Sequence, residues 1–142
     1  LWSAPHAEFH GEFVDFDPAT CSPRPTNGNI PIIVGGDSEA ALRRAVNIAD
    51  GYFPGEGDAE ALGKLLKRLE QTAEANGRDP KSIEISAIFG AQMMDPANGV
   101  QQMAAIGVDR IMVPAFFFAG PEGLDNLRKF AEQVMPVARD VA

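Results

Sequence analysis

The sequence predicts an α/β protein built on a parallel sheet, and three features predict it. Apolar runs of strand length alternate with segments of helical period four times between Ile30 and Ala142. The connections are short, and glycine, proline or aspartate marks almost every change of period. Strand-helix repetition with short connections is the pattern of right-handed crossovers between parallel strands. Four such units make about half of an eight-unit β/α barrel, whose usual size is about 250 residues. A small open doubly wound sheet is the other arrangement that four strands allow.

The first unit organises the rest. Ile30 to Val34 is a compact apolar run read as a fully buried strand, and Gly35 and Gly36 break it. Asp37 and Ser38 offer capping oxygens, and Leu42, Ala45, Val46 and Ala49 recur on one helix face. Gly51-Tyr52-Phe53-Pro54 falls where a second strand belongs. Asp58 then caps a helix with Leu62, Leu65, Leu66, Leu69 and Ala73 on one stripe, closed by Asn76-Gly77. Ile83 to Phe89 is the third strand, followed by a helix from Asp95-Pro96 to Gly107. Val108 to Val113 is the fourth. A last helix enters at Pro121, turns Leu124, Leu127, Ala131 and Val134 inward, and bends or ends near Pro136. On this reading Ile32, Val34, Ile85 and Ile111, or their neighbours, face the interior of the barrel.

Residues 1–29 are irregular and stand apart from 30–142. Phe9, Phe13 and Phe16 flank a His10-Gly11 turn in the manner of a hairpin lying over an apolar surface, and Pro18, Pro23, Pro25 and Gly28 mark an extended connection. His6 and His10 have no companions at metal spacing, so no metal site is expected.

Composition narrows the classes. With 45% apolar residues the chain is globular, and no apolar run approaches the roughly 18 residues that mark a membrane span. A net charge of −8, with 12 scattered Lys and Arg, argues against a nucleic-acid partner. One cysteine, Cys21, excludes an internal disulfide and suits the cytoplasm. Because the first residue is Leu1, the sequence reads as a piece of something longer.

The glycine turn is the candidate site. A helix start leaves unpaired backbone N–H groups, and glycines without a Cβ let an anion approach them. Gly35, Gly36 and Ser38 would hold a phosphate through backbone and hydroxyl, with Asp37 directed out to water. An ordinary strand-to-helix loop is the plainer reading. Arg43 and Arg44, beyond the first helical turn, read as solvated. Tyr52 and Phe53 read as packing, and Phe116 to Phe118 either wall a pocket or clamp the last loop under the final helix.

Several short motifs, taken together, are familiar: Leu1-Trp2, Phe9-His10-Gly11-Glu12-Phe13, Pro23-Arg24-Pro25, Pro31-Ile32-Ile33-Val34-Gly35-Gly36-Asp37-Ser38, Ala41-Leu42-Arg43-Arg44-Ala45, Ala49-Asp50-Gly51-Tyr52-Phe53-Pro54 and Gly77-Arg78-Asp79-Pro80. In this order they resemble the luciferase-like family of flavin- and deazaflavin-dependent oxidoreductases, which fold as eight-stranded β/α (TIM) barrels. The resemblance implies that the chain is the C-terminal half of the barrel, strands five to eight, preceded by an insertion hairpin. It further implies coenzyme F-420, preferred, or FMN as cofactor, with its phosphate partly held at Gly35, Gly36 and Ser38. A small organic molecule is the implied substrate. An incomplete barrel would pair with another copy, as a homo-oligomer, or with the missing N-terminal half. No residue here is a convincing acid or base for hydride transfer, so the catalytic residues are unknown. A non-catalytic phosphate- or nucleotide-binding module is the alternative function; a receiver domain is disfavoured because no acidic cluster follows the first strand.

Overall fold

The computed structural model describes residues 1–141, which divide into two compact units, Leu1–Pro31 and the chain from Ile32 onward. The first unit is an antiparallel hairpin of β1 (Ala7–His10) and β2 (Asp15–Ala19), with Phe9 opposite Phe16 and His10 opposite Asp15. The Gly11 amide donates to the Val14 carbonyl across the turn, at 2.9 Å. Cross-strand neighbours on one face are the unit of stability in such a pair, and here the rings of Phe9 and Phe16 stack at 6.5 Å. Phe13 does not join them. It lies in the turn, 90% exposed, because the two strands end before it.

The second unit is a four-stranded parallel sheet whose spatial order is its sequence order: β3 (Ile33–Gly35), β4 (Gly51–Phe53), β5 (Glu84–Ile88) and β6 (Arg110–Met112). A doubly wound sheet reverses strand order at a switch point; this one never does, which is the order of a barrel wall. The helices α1 (Glu39–Ile48), α2 (Ala59–Ala75), α3 (Pro96–Ala105) and α4 (Gly123–Val141) follow the strands in turn. Leu42, Val46, Leu62, Leu65, Leu69, Met103 and Val134 from these helices bury Tyr52, Ile83, Ile85, Ala87 and Phe89 of the sheet.

Sequence pattern explains each helix. Ser38 accepts the Ala41 amide at 3.2 Å, Asp58 accepts those of Glu60 and Ala61, and Asp95 caps α3 ahead of Pro96. Gly77 ends α2 with φ +71°, a conformation in which a side chain would be strained. Arg78 then turns back to the other end of α1. Its guanidinium donates to the carbonyls of Val46 at 2.8 Å and Ala49 at 2.6 Å, satisfying acceptors that the helix end leaves open.

Four expectations are corrected or narrowed. The first strand is not fully buried: Ile32 and Ile33 are 39% and 47% exposed, because β3 has a neighbour on one side only. Val34, Ile85 and Ile111 belong to the helix-clad face and pack into the core. The opposite face carries Ile33, Phe53, Glu84, Ser86, Ile88, Arg110 and Met112, as the register and strand alternation require. On it Arg110 and Glu84 form an ion pair at 3.0 Å. Leu124 and Leu127 of α4 are 60% and 43% exposed, whereas Val134 lies in the core as expected, with Phe130 and Val137 beside it. Finally, of the two outcomes expected at Pro136 the ending does not occur, since α4 continues through it. That residue removes one helical hydrogen bond, while Val134, Val137 and Ala138 packed on either side keep the helix on the core.

Two aspartates extend the short strands. Asp50 donates its amide to the Ile32 carbonyl and accepts the Ile32 amide on its carboxylate, both at 2.8 Å. Asp109 repeats this on Ile85, at 2.9 and 2.7 Å. Ile85 is buried and Ile32 is not, so water can replace the carboxylate only at Ile32. Asp109→Ala is therefore expected to lower unfolding free energy by about 2 kcal/mol, and Asp50→Ala by less than about 1 kcal/mol. Urea denaturation of the two variants checks this; equal losses would show that burial of the receiving amide does not decide the cost.

Candidate functional site

Loops leaving the C-terminal ends of parallel strands gather on one rim, together with the N-termini of the crossover helices. Here that rim holds the turn after β3, the loop from Pro54 to Asp58, the segment around Gly90–Gln92 and the run Pro114–Phe118. Gly35 closes β3, Gly36 forms the turn and Ser38 caps α1, and all three are exposed. Gly36 has φ +102°, and an added Cβ there would stand 3.5 Å from that of Ala41. The position is thus reserved for glycine by conformation more than by space.

Tyr52 determines which way this turn faces. It is fully buried, and its hydroxyl donates to the Gly36 carbonyl at 2.7 Å. In a trans peptide the carbonyl and the following N–H point in opposite directions, so the Asp37 amide is directed away from Tyr52. Neither Asp37 nor Ser38 donates its amide to a protein acceptor among the described residues. The turn therefore offers two amides and a hydroxyl at the positive end of α1.

Asp37 is exposed, as expected, and it also has a protein partner. Its carboxylate accepts the Gly55 amide at 2.8 Å, tying the turn after β3 to the loop after β4. This draws one carboxylate oxygen toward Gly55 instead of leaving the charge free beside the turn. A Cβ on Gly55 would meet the other oxygen at 3.1 Å, so the approach depends on a small residue there.

The next loop is tied in the same manner. Gln92, which is buried, donates to the Gly57 carbonyl at 3.0 Å, while its Oε1 has no partner. Gly99 makes room for it: a Cβ at that position would lie 2.5 Å from that of Gln92. Of the two roles expected of the phenylalanine run, the contacts bear on the clamp under the final helix. Phe118 packs on Phe130 of α4 at 5.5 Å, whereas Phe116 is mostly exposed at the rim.

Sequence reasoning missed the Tyr52 hydroxyl, the Asp37–Gly55 tie and Gln92, each of which depends on a partner at least 16 positions away. Tyr52 packs as its type suggests and bonds the Gly36 carbonyl as well. Arg43 and Arg44 are exposed, as expected of solvated side chains. His10 pairs with Asp15 at 2.6 Å and His6 with Thr20 at 3.1 Å, all within the hairpin unit. Among the described residues no three His, Cys, Asp or Glu side chains cluster closely enough to hold a metal. A groove of about 960 Å³ runs along α2 to Ile106 and Asp109, lined by Leu66, Lys67 and Lys81. It borders the segments leading into β5 and β6, away from the glycine turn.

Residues 1–133 match the luciferase-like monooxygenase family. An uncharacterised protein of Mycobacterium tuberculosis is 35% identical over 144 residues, covering 95% of this chain and 48% of the relative. The chain thus spans about half the length of such relatives. An F420-dependent glucose-6-phosphate dehydrogenase of Nakamurella multipartita is 38% identical over 80 residues, covering 55% of this chain and 23% of that enzyme. An FMNH2-dependent dimethylsulfone monooxygenase of Pseudomonas putida is 32% identical over 82 residues, covering 57% and 23%. In structure the chain is similar to the coenzyme F420-dependent tetrahydromethanopterin reductase of Methanopyrus kandleri, with a TM-score of 0.70, 14% identity, and coverage of 95% of this chain and 58% of that one. That likeness bears on fold, and it agrees with the barrel order of the strands.

The buried phenol yields a direct test. Burial first, and the nearby Asp37 carboxylate second, push the Tyr52 pKa up to about 12, with Arg68 opposing. Tyr52 is the only tyrosine, so absorbance near 295 nm reports it alone. Ionisation is expected near pH 12, and stability should fall as pH rises from 10 toward 12, because the unfolded chain loses this proton first. A titration midpoint near 10 in the folded protein would show that the hydroxyl is not held as described.

Proposed function

Because this chain belongs to the luciferase-like monooxygenase family, we propose that it forms strands five to eight of an oxidoreductase that transfers hydride between coenzyme F-420 or FMN and a small organic substrate. The observation that carries the reading is the turn Gly36–Ser38, where Tyr52 holds the Gly36 carbonyl inward and the Asp37 and Ser38 amides open outward. The donor set suits a phosphate: backbone amides, the Ser38 hydroxyl and a helix start, with a carboxylate oxygen of Asp37 engaged by Gly55. Gly35 and Gly36 keep side chains out of the approach.

Coenzyme F-420 is preferred over FMN; the F420-dependent relative is 38% identical, against 32% for the FMNH2-dependent one. Either cofactor supplies the hydride acceptor or donor. The part of these residues is to anchor its phosphate. Such contacts are nearly the same in ground and transition states, so they hold the cofactor without accelerating transfer. No described residue is assigned as the proton-handling group. The cytoplasm is the compartment proposed, since Cys21 has no second cysteine with which to pair.

Four β/α units wall one side of a barrel mouth. Residues 1–142 alone are therefore expected to bind FMN or F-420 weakly and to show no turnover, whereas a polypeptide carrying them within all eight units binds one of the two. In that longer polypeptide Gly36→Val should weaken FMN binding about tenfold, through the lost charge-assisted bonds, and leave riboflavin binding unchanged. Fluorescence titration with both flavins separates the outcomes. Unchanged FMN affinity removes the phosphate site. A protein that takes inorganic phosphate or free nucleotide but neither cofactor returns the chain to a non-catalytic phosphate-binding module.

A further inference from the structure

The loop from Pro54 to Asp58 is joined to other β/α units by two hydrogen bonds among the described residues. Backward along the chain, its Gly55 amide donates to the Asp37 carboxylate at 2.8 Å; forward, its Gly57 carbonyl accepts Nε2 of Gln92 at 3.0 Å. The ends of the loop are fixed, at Pro54 by burial and at Asp58 by its capping of α2, which leaves Gly55, Glu56 and Gly57 between them. Two of these three are glycines, the residues with the most backbone freedom to lose.

Gln92 holds this loop from a fixed post outside it. It lies in the short helical turn Ala91–Met94 against α3, where Gly99 leaves the space that its Cβ occupies, and its carbonyl accepts the Asp95 amide at 3.2 Å. The side chain is buried, and its Oε1 meets no protein donor among the described residues. Burying a whole amide for one bond returns little stability, because the Gly57 carbonyl is only half-buried and water can take the place of Nε2 there. What the side chain adds is order in the loop.

We propose that Gln92 is a positioning residue for the turn Gly36–Ser38, acting through the loop Pro54–Asp58. Gln92 fixes Gly57, the fixed loop presents the Gly55 amide to Asp37, and the bond to Gly55 keeps the Asp37 carboxylate aside while the Asp37 and Ser38 amides stay in place. Tyr52 anchors the turn from the other side, through the Gly36 carbonyl, and does not depend on Gln92. The effect of Gln92 on flavin binding rests on the phosphate site proposed above; its effect on the loop does not.

Gln92→Met keeps an unbranched side chain of similar length and removes the donor. In residues 1–142 this variant should unfold at the same or a higher urea concentration than the parent, while its Gly55 amide exchanges with water several-fold faster by NMR. In the polypeptide carrying all eight units it should bind FMN about fivefold more weakly, the cost of ordering about one residue on binding, and riboflavin, which lacks the phosphate, unchanged. A lower urea midpoint makes Gln92 a residue of the fold alone and overturns the proposal, as does unchanged Gly55 exchange. So does an FMN affinity that stays the same, or that falls together with that of riboflavin, where the parent favours FMN. A parent that binds both flavins alike, or neither, removes the phosphate site instead, and Gly55 exchange then decides whether Gln92 orders the loop.

Discussion

The structure depends on making a sheet from strands too short to hold one another. β3, β4 and β6 have three residues each, so the ladder alone provides few hydrogen bonds. Two additions compensate. Asp50 and Asp109 each engage both backbone groups of a residue on the neighbouring strand, lengthening the ladder beyond its regular part. The helices supply the rest by burying Tyr52, Ile85, Ala87 and Phe89 beneath an almost continuous apolar layer. Both devices act on one face and at one end of the strands. Their other ends are thereby free to carry loops, and the other face to carry the Arg110–Glu84 pair.

How much of this was legible in the sequence follows from how far each signal acts. Helices were legible because period, cap and stop lie within a few residues: Ser38, Asp58, Asp95 and Gly77 do what their types suggest. Strand position was not. Ile30 to Val34 reads as one apolar run, yet the regular strand begins at Ile33, with only Ile32 added by its bonds to Asp50 and Gly51. A shift of one residue in a strand exchanges its faces, so the apolar runs leave open whether Val34, Ile85 and Ile111 or their neighbours line the interior; these three face the helices and the neighbours take the other face. The α4 stripe misled for a related reason. Leu124 and Leu127 are apolar at helical spacing, but nothing local says which of two adjoining stripes meets the core.

The candidate site divides along the same line. Gly35, Gly36 and Ser38 were legible because a turn with positive φ and a capped helix need those residue types at that spacing. Tyr52 was not, since its hydroxyl reaches a carbonyl 16 positions earlier. The tie from Asp37 to Gly55 was not legible for the same reason. A carboxylate beside a phosphate turn is unfavourable in isolation, but the Gly55 amide, brought near only by the pairing of β3 with β4, gives it somewhere else to bond.

That dependence gives the turn a property its own residues lack. Gly36 is held from below by Tyr52 of β4, and Asp37 from the side by Gly55 of the loop after β4. Both anchors come from the next β/α unit, and that unit is fixed by the Gln92 bond from the one after it. A glycine turn alone samples many conformations, and ordering it on binding would cost about 1 to 2 kcal/mol per residue. Here the ordering is completed during folding. An anion docking at the turn would meet amides already directed outward, so its binding energy would not be consumed in arranging them.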